Sequence, residues 1–398
     1  MTSNARAPEP HDHAVHEAFG PDLTAREIIG TQTVGTMGLM VIGVTPMLLT
    51  ALAREHRFSA AQMGESAMIE TFVMGLATAA MGLIARPSRV KLIGALAAFA
   101  LAGLDLAGLF AASWTLIALR AVAGLVEGVM LWVTVAMIAR TATPERWAGV
   151  FLTAQTVAQV ALVMVLTPLA PHYGANGVLF ALAMTAAVTV PFALMCPDRF
   201  VPLPTTADGG TRLPVRGWVA LAGIVVIVAG PGAVWVYLES IALQAGLSET
   251  AAHTAVWVVL ALNIVGGLTA TMMAGRVRYF TIFTITSIGY LAVWGLYLFH
   301  TPTWAFLAAS AVQGFIGLLI APFFVPMTIG ADPSRRTAVQ GGPAQLVGGA
   351  LGPLAASWVV TDQDAHGVLW LGAALLLLGM IMVAGLRFTE RHASPSIP

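Results

Sequence analysis

Residues 115–139 read TLIALRAVAGLVEGVMLWVTVAMIA, an apolar run that carries two charges, Arg120 and Glu127. A bilayer crossing takes about 20 predominantly apolar residues, so this run reads as a membrane helix. A charge near the bilayer centre costs on the order of several kcal/mol, and such a side chain faces protein or water. Arg120 and Glu127 are seven residues apart, which is two turns, about 10 Å along the axis, on one helix face. They share that face with Gly124, Gly128 and Leu131, and Glu127 falls close to the middle of the run.

The rest of the chain repeats the pattern. Apolar runs lie near 28–51, 64–85, 91–111, 148–170, 175–196, 217–242, 250–274, 280–299, 303–328, 338–360 and 367–386, which with 115–139 makes twelve spans. The composition agrees: 58% of residues are hydrophobic and 10% charged, against roughly a quarter charged in soluble domains. An even number of spans puts both termini on one side. With the termini inside, sixteen of the 19 Lys and Arg residues fall in the tails and inside loops, Arg54 and Arg57 fall outside, and Arg120 lies within a span. Positively charged loops stay in the cytoplasm. One missed span would invert everything after it, so the sorting supports the count and makes 1–27 and 387–398 cytosolic tails. The N-terminal segment lacks the apolar core that follows a basic start in a signal peptide. His11, His13 and His16 read as part of that polar tail, not as a metal cluster.

Several function classes fall away. A net charge of +0 leaves no broad basic face for nucleic acid. The single cysteine, Cys196, excludes an intrachain disulfide and a cysteine-based metal cage. No Gly-x-x-x-x-Gly-Lys-Ser/Thr loop occurs, and Lys91 is the sole lysine, which excludes ATP-driven pumping by this chain. No His-Glu-x-x-His or Gly-x-Ser-x-Gly motif suggests an enzyme. No cofactor or metal is expected.

The longest inside loop, 197–216, contains Pro197, Pro202, Pro204, Asp208-Gly209-Gly210 and Pro214 and reads as a flexible linker. It divides the chain into halves, 28–196 and 217–386. Pro144-Glu145-Arg146 precedes span five and Pro333-Ser334-Arg335 precedes span eleven; Ala154-Gln155 and Ala344-Gln345 lie within those spans. Paired positions of this kind favour a duplicated six-helix unit.

Six plus six spans, a central linker, the repeated loops and Arg120-Ala-Val-Ala-Gly124 in span four together resemble the major facilitator superfamily. The Arg-x-x-x-Gly stretch looks like a signature of that family often associated with proton coupling. Ser59-Ala-Ala-Gln62-Met-Gly64 and Gly349-Ala-Leu-Gly352-Pro353 are also in the family's style. The loop after span two departs from it: Gly82-Leu-Ile-Ala-Arg86-Pro-Ser-Arg89-Val-Lys91 keeps the glycine and the bases but lacks the acidic residue. Span five lacks the glycine-proline motif of drug antiporters. The resemblance implies an all-α integral membrane protein of two six-helix bundles, with a substrate site near the midplane between them.

Charged and polar residues within spans are the candidate site. Glu127, Arg120 and Glu70 form the expected proton-coupling set, with Glu70 deep enough in span two to pair with Arg120. Asp105, in the outer third of span three, is expected in a salt bridge. Substrate candidates are Arg120, Gln155, Trp132, Tyr237, Glu239, Asn263, Gln32 and Gln313. Pro231 and the Pro322/Pro326 pair mark possible hinges. The expected protein is a multi-pass inner-membrane secondary transporter that works by alternating access as a monomer in membrane lipid, with protons and a small molecule as its partners. The absent drug-antiporter motif points to proton-linked uptake of an aromatic carboxylate, with Arg120 holding the anion. The excess of acidic residues over Arg120 points instead to proton-driven export of an amphipathic compound, which is the preferred reading. A non-transporting receptor is a minor alternative.

Overall fold

The computed structural model describes residues 23–58, 60–85, 88–166, 170–201, 213–299, 301–356, 358–360 and 365–393. Residues 1–22 of the N-terminal tail, 202–212 of the linker and 394–398 of the C-terminal tail, with Arg86 and Pro168, lie outside the described residues, and the helix of span twelve continues past 386 to Ala393. Each of the twelve apolar stretches forms helix. Among the described residues ten helices are long and apolar enough to cross a membrane. The other two stretches are spans two and eleven. Span two is the helix Ala60–Ile84. Span eleven is divided into Arg336–Val339 and Gly341–Ala356, with a break at Gln340 before Gly341-Gly342-Pro343. The protein is a multi-pass membrane protein.

Other breaks fall where local chemistry allows them. Span one opens on a capping box, in which Thr24 and Glu27 satisfy each other's backbone amides, and it breaks at Leu39 between Ala25–Gly38 and Met40–Arg54. Span ten passes through a short 3-10 turn, Ala321–Phe323, centred on Pro322, because proline removes a donor from the helical ladder. Span seven does not break at Pro231: the helix runs through it from Val215 to Val236, and the break comes at Tyr237, before Leu238–Gln244.

Two apolar cores form, one per half. The first packs spans one to six around Val34, Leu101, Met130 and Leu182. The second packs spans seven to twelve around Ile224, Phe283, Trp294 and Phe306. Large apolar side chains such as Phe99, Ile84, Met272 and Ile381 are exposed, as helices that meet hydrocarbon on their outer surface require. Trp114, Trp218, Trp304 and Trp370 are exposed too, which suits aromatic anchors at the membrane interfaces.

The two faces of the bundle differ. On the face from which span one starts and span twelve ends, loops tie the structure together: the Val90 amide donates to Asp198 O at 3.0 Å, Arg140 Nε to Val201 O at 2.7 Å and Arg216 Nη2 to Leu386 O at 3.3 Å. On this face the halves also meet. Arg335 Nη1 donates to Thr141 O at 2.7 Å and reaches Ala139 O at 3.4 Å. Gln340 Nε2 donates to Ala79 O at 3.2 Å, and Gly149 lies against Thr271. On the opposite face two ties join residues of the same half: Arg57 Nη1 donates to Asn176 Oδ1 at 2.8 Å, and the Ala365 amide to Gln244 Oε1 at 2.9 Å.

Candidate functional site

Between the halves lie two adjoining hollows of about 950 and 920 Å³ that share Leu152, Ala321, Phe324 and Gln345. The first, towards the closed face, is bounded by Leu39, Leu131, Val135, Phe151, Gln155 and Gln159. Gln159 Nε2 donates to Leu39 O, where the helix break frees a carbonyl, and to Gln155 Oε1 at 3.2 Å. The second is lined by Trp235, Asn263, Tyr290, Gln313 and Gly317. Trp294 Nε1 donates to Gln313 Oε1 at 3.3 Å, which fixes the amide of this buried glutamine. Asn263 and Tyr290 converge on Gly317: a Cβ there would sit 2.9 Å from Asn263 Oδ1 and 3.4 Å from the Tyr290 hydroxyl. Among the described residues no charged side chain lines either hollow.

The charges are inside the first half. Arg120 is buried and makes a bidentate pair with Glu70, Nε to Oε2 at 3.1 Å and Nη2 to Oε1. Its Nη1 donates to Asp105 Oδ1 at 2.6 Å, and Glu127 Oε1 lies 3.6 Å from Nη2. Glu70, Asp105 and Glu127 are all buried. Spans two and four approach closely enough for this because Gly124 faces the Glu70 carbonyl and Gly128 faces that of Met74, where a side chain would collide. Thr78 Oγ1 closes the same seam by donating to Gly128 O at 2.9 Å. Glu127 Oε2 has no hydrogen-bond partner among the described residues. The cluster does not line the hollows, but Leu131, one turn along span four from Glu127, does.

Of the residues singled out in the sequence, Gln155, Asn263 and Gln313 line the cavity. Arg120, Glu127, Glu70 and Asp105 assemble beside it. Trp132 is buried in the first core and does not reach the cavity. Tyr237 sits at the break in span seven, partly buried against the second core. Gln32 is buried with both side-chain polar atoms unpartnered among the described residues, and it lines neither hollow. The side chain of Glu239 lies outside the described residues. Tyr290 was not singled out in the sequence. Its only signal is a hydroxyl in the middle of an apolar run.

The closed end has its own machinery. Asp332 is buried and accepts from the Ser334 amide (3.0 Å) and hydroxyl (2.6 Å) with one oxygen, and from the Thr337 amide (3.0 Å) and hydroxyl (2.9 Å) with the other. This turn holds Arg335 at φ 60°, in the left-handed region, and aims its guanidinium at Ala139 and Thr141 of the other half. Nearby, burial and the neighbouring Arg336 push the Arg140 guanidinium down to about 10, so it stays charged at neutral pH.

No protein-family model and no curated protein sequence matches this chain. Solved structures do. A major facilitator superfamily transporter, FucP, in the outward conformation superposes with a TM-score of 0.70 at 12% identity, covering 90% of this chain and 98% of that one. An alanine variant of the E. coli fucose:proton symporter FucP gives 0.66 at 12% identity, with 90% and 98% covered. The human organic anion transporter MFSD10 (TETRAN) gives 0.67 at 14% identity, with 94% and 100% covered. Two six-helix halves around a central cavity, superposable on these structures over nine-tenths of the length, give this chain the fold of the major facilitator superfamily.

Proposed function

We propose that this protein is a secondary active transporter that carries a neutral amphipathic small molecule through the central cavity by alternating access, with protons as the coupling ion. One observation carries the reading: a cavity of uncharged amides, hydroxyl and apolar walls lies between two halves that are latched at one end, one helical turn from a buried, ionisable cluster. Three carboxylates share one guanidinium, a formal charge of −2 when all are ionised. Burying such an excess in an apolar core is costly, and each proton taken up reduces it. Glu127 is the member that exchanges protons, because it makes the longest contact with Arg120 and has an unpartnered oxygen. Glu70 and Asp105 hold Arg120 in place.

The sorting of Arg and Lys residues supports placing both termini in the cytoplasm, so the latched face is cytoplasmic and the cavity faces outward. Arg335, Gln340 and the Gly149–Thr271 approach would then separate in the inward-facing state. Release of an exported compound to the outside, in exchange for protons, fits this arrangement. Uptake of a carboxylate anchored by Arg120 is the weaker reading, because Arg120 is buried and already committed to Glu70 and Asp105.

The first test is thermal unfolding of the wild type and of Arg120→Gln with a panel of neutral amphiphiles, lipophilic cations and aromatic carboxylates. A ligand that binds the folded state raises its melting temperature. Neutral amphiphiles should stabilise both proteins; carboxylates stabilising only the wild type would overturn the neutral-substrate reading. With a ligand in hand, Glu127→Gln in proteoliposomes should lose accumulation driven by a pH gradient while retaining exchange of labelled substrate. Full accumulation by that variant would refute proton coupling at Glu127.

A further inference from the structure

A second cavity, of about 1130 Å³, opens on the face that carries the latch and lies apart from the central hollows. Its walls bring Arg276 and Arg278 from the loop between spans eight and nine together with Arg387 from the end of span twelve. Arg387 is half-buried, with its guanidinium 4.2 Å above the Phe280 ring, a stacking that holds the charge in place. Arg276 and Arg278 are exposed. Arg276 Nη1 spends one bond on Met272 O at 3.2 Å, leaving the rest of its fork available. Among the described residues no salt bridge ties any of the three to a carboxylate. The one acidic side chain in the wall is Glu145, from the other half of the molecule. Three arginines gathered around one bowl, at the end of helices whose sides face hydrocarbon, are poorly explained as scaffold. Planar guanidinium forks match the oxygens of a phosphate, and basic pockets between membrane helices take lipid headgroups.

We infer that Arg276, Arg278 and Arg387 form a binding site for an anionic phosphate group, the headgroup of a membrane phospholipid or a soluble phosphate. Glu145 weakens the site by placing one negative charge in its wall. The bound phosphate lies across the seam between the halves, since Glu145 belongs to span five and the arginines to the second half.

The test uses the purified full chain in neutral detergent and follows its melting temperature on titration with phosphatidylglycerol, phosphatidylcholine, inorganic phosphate and glycerol 3-phosphate. Phosphatidylglycerol should stabilise the wild type and phosphatidylcholine should not. Arg278→Gln and Arg387→Gln should each weaken the apparent affinity about fivefold, and Glu145→Gln should strengthen it. If inorganic phosphate or glycerol 3-phosphate reproduces the stabilisation, the ligand is a soluble phosphate; if only phosphatidylglycerol acts, it is lipid. Equal stabilisation by phosphatidylcholine, or arginine variants that respond as the wild type does, would overturn the inference. Should the arginine variants fail to fold, Glu145→Gln decides alone, and an unchanged affinity refutes the site.

Discussion

The two halves share an architecture but hold different polar interiors. The first buries four ionisable side chains in one network, Arg120 with Glu70, Asp105 and Glu127. The second buries neutral pairs: Trp294 with Gln313, and the Tyr297 hydroxyl 3.0 Å from Ser310. The charged network sits inside its bundle and does not line the cavity, whereas Gln313 of the second half lines it together with Asn263 and Tyr290. Charge is tolerable in an apolar core only when paired; amides and hydroxyls can face a cavity at much lower cost. The difference teaches how one molecule keeps a buried charge cluster apart from an uncharged cavity.

The sharpest way to break that comparison is to remove the pivot of the charged network. Arg120→Ala strands three carboxylates and should cost about 3–5 kcal/mol, read as a large fall in melting temperature. Gln313→Ala, which removes one neutral bond, should cost about 1 kcal/mol. Similar losses in both would mean the two interiors are energetically alike. Restoring balance by adding Glu70→Gln and Asp105→Asn to Arg120→Ala should recover part of the loss.

Ligand affinity sharpens the contrast from the other side. Gly317→Ala places a methyl group against Asn263 and Tyr290, and with Asn263→Ala it should raise KM about tenfold while leaving the pH dependence of transport unchanged. Glu127→Gln should do the reverse. A KM effect from Glu127, or a pH effect from Asn263, would merge the two sites. The latch is a smaller lever. Arg335→Ala should shift the balance between open states by about tenfold or less, since it removes hydrogen bonds to two carbonyls. Labelling of Val135→Cys in a Cys196→Ser background, from the side that carries the termini, would report it. Asp332→Asn should act in the same direction through the turn that aims Arg335.

Much of this was legible in the chain. The depth of Glu70 in span two matched that of Arg120, and the two side chains pair. Asp105 was expected in a salt bridge at the outer end of span three, and its partner is Arg120. At Pro231, named as a possible hinge, the helix runs unbroken from Val215 to Val236, since a helix can carry a proline without breaking when neighbours hold it. Gly230 packs directly on the backbone of Gly372 there, and the break moves to Tyr237. Trp132, one of the substrate candidates, lies in the core, whereas Tyr290, not singled out, lines the cavity.

The sequence by itself determined that this is a membrane protein, where its helices run and which few charges lie within the spans. Those properties follow from the cost of polar groups in hydrocarbon, which is paid residue by residue along the chain. Only the tertiary structure decided which face of each helix meets lipid, which meets another helix and which meets the cavity. Lipid tails and helix interiors are equally apolar, so hydrophobic periodicity does not separate them. Helix rotation is set instead by close packing, such as Gly124 and Gly128 of span four against the backbone of span two, and that packing exists only once the helices have met.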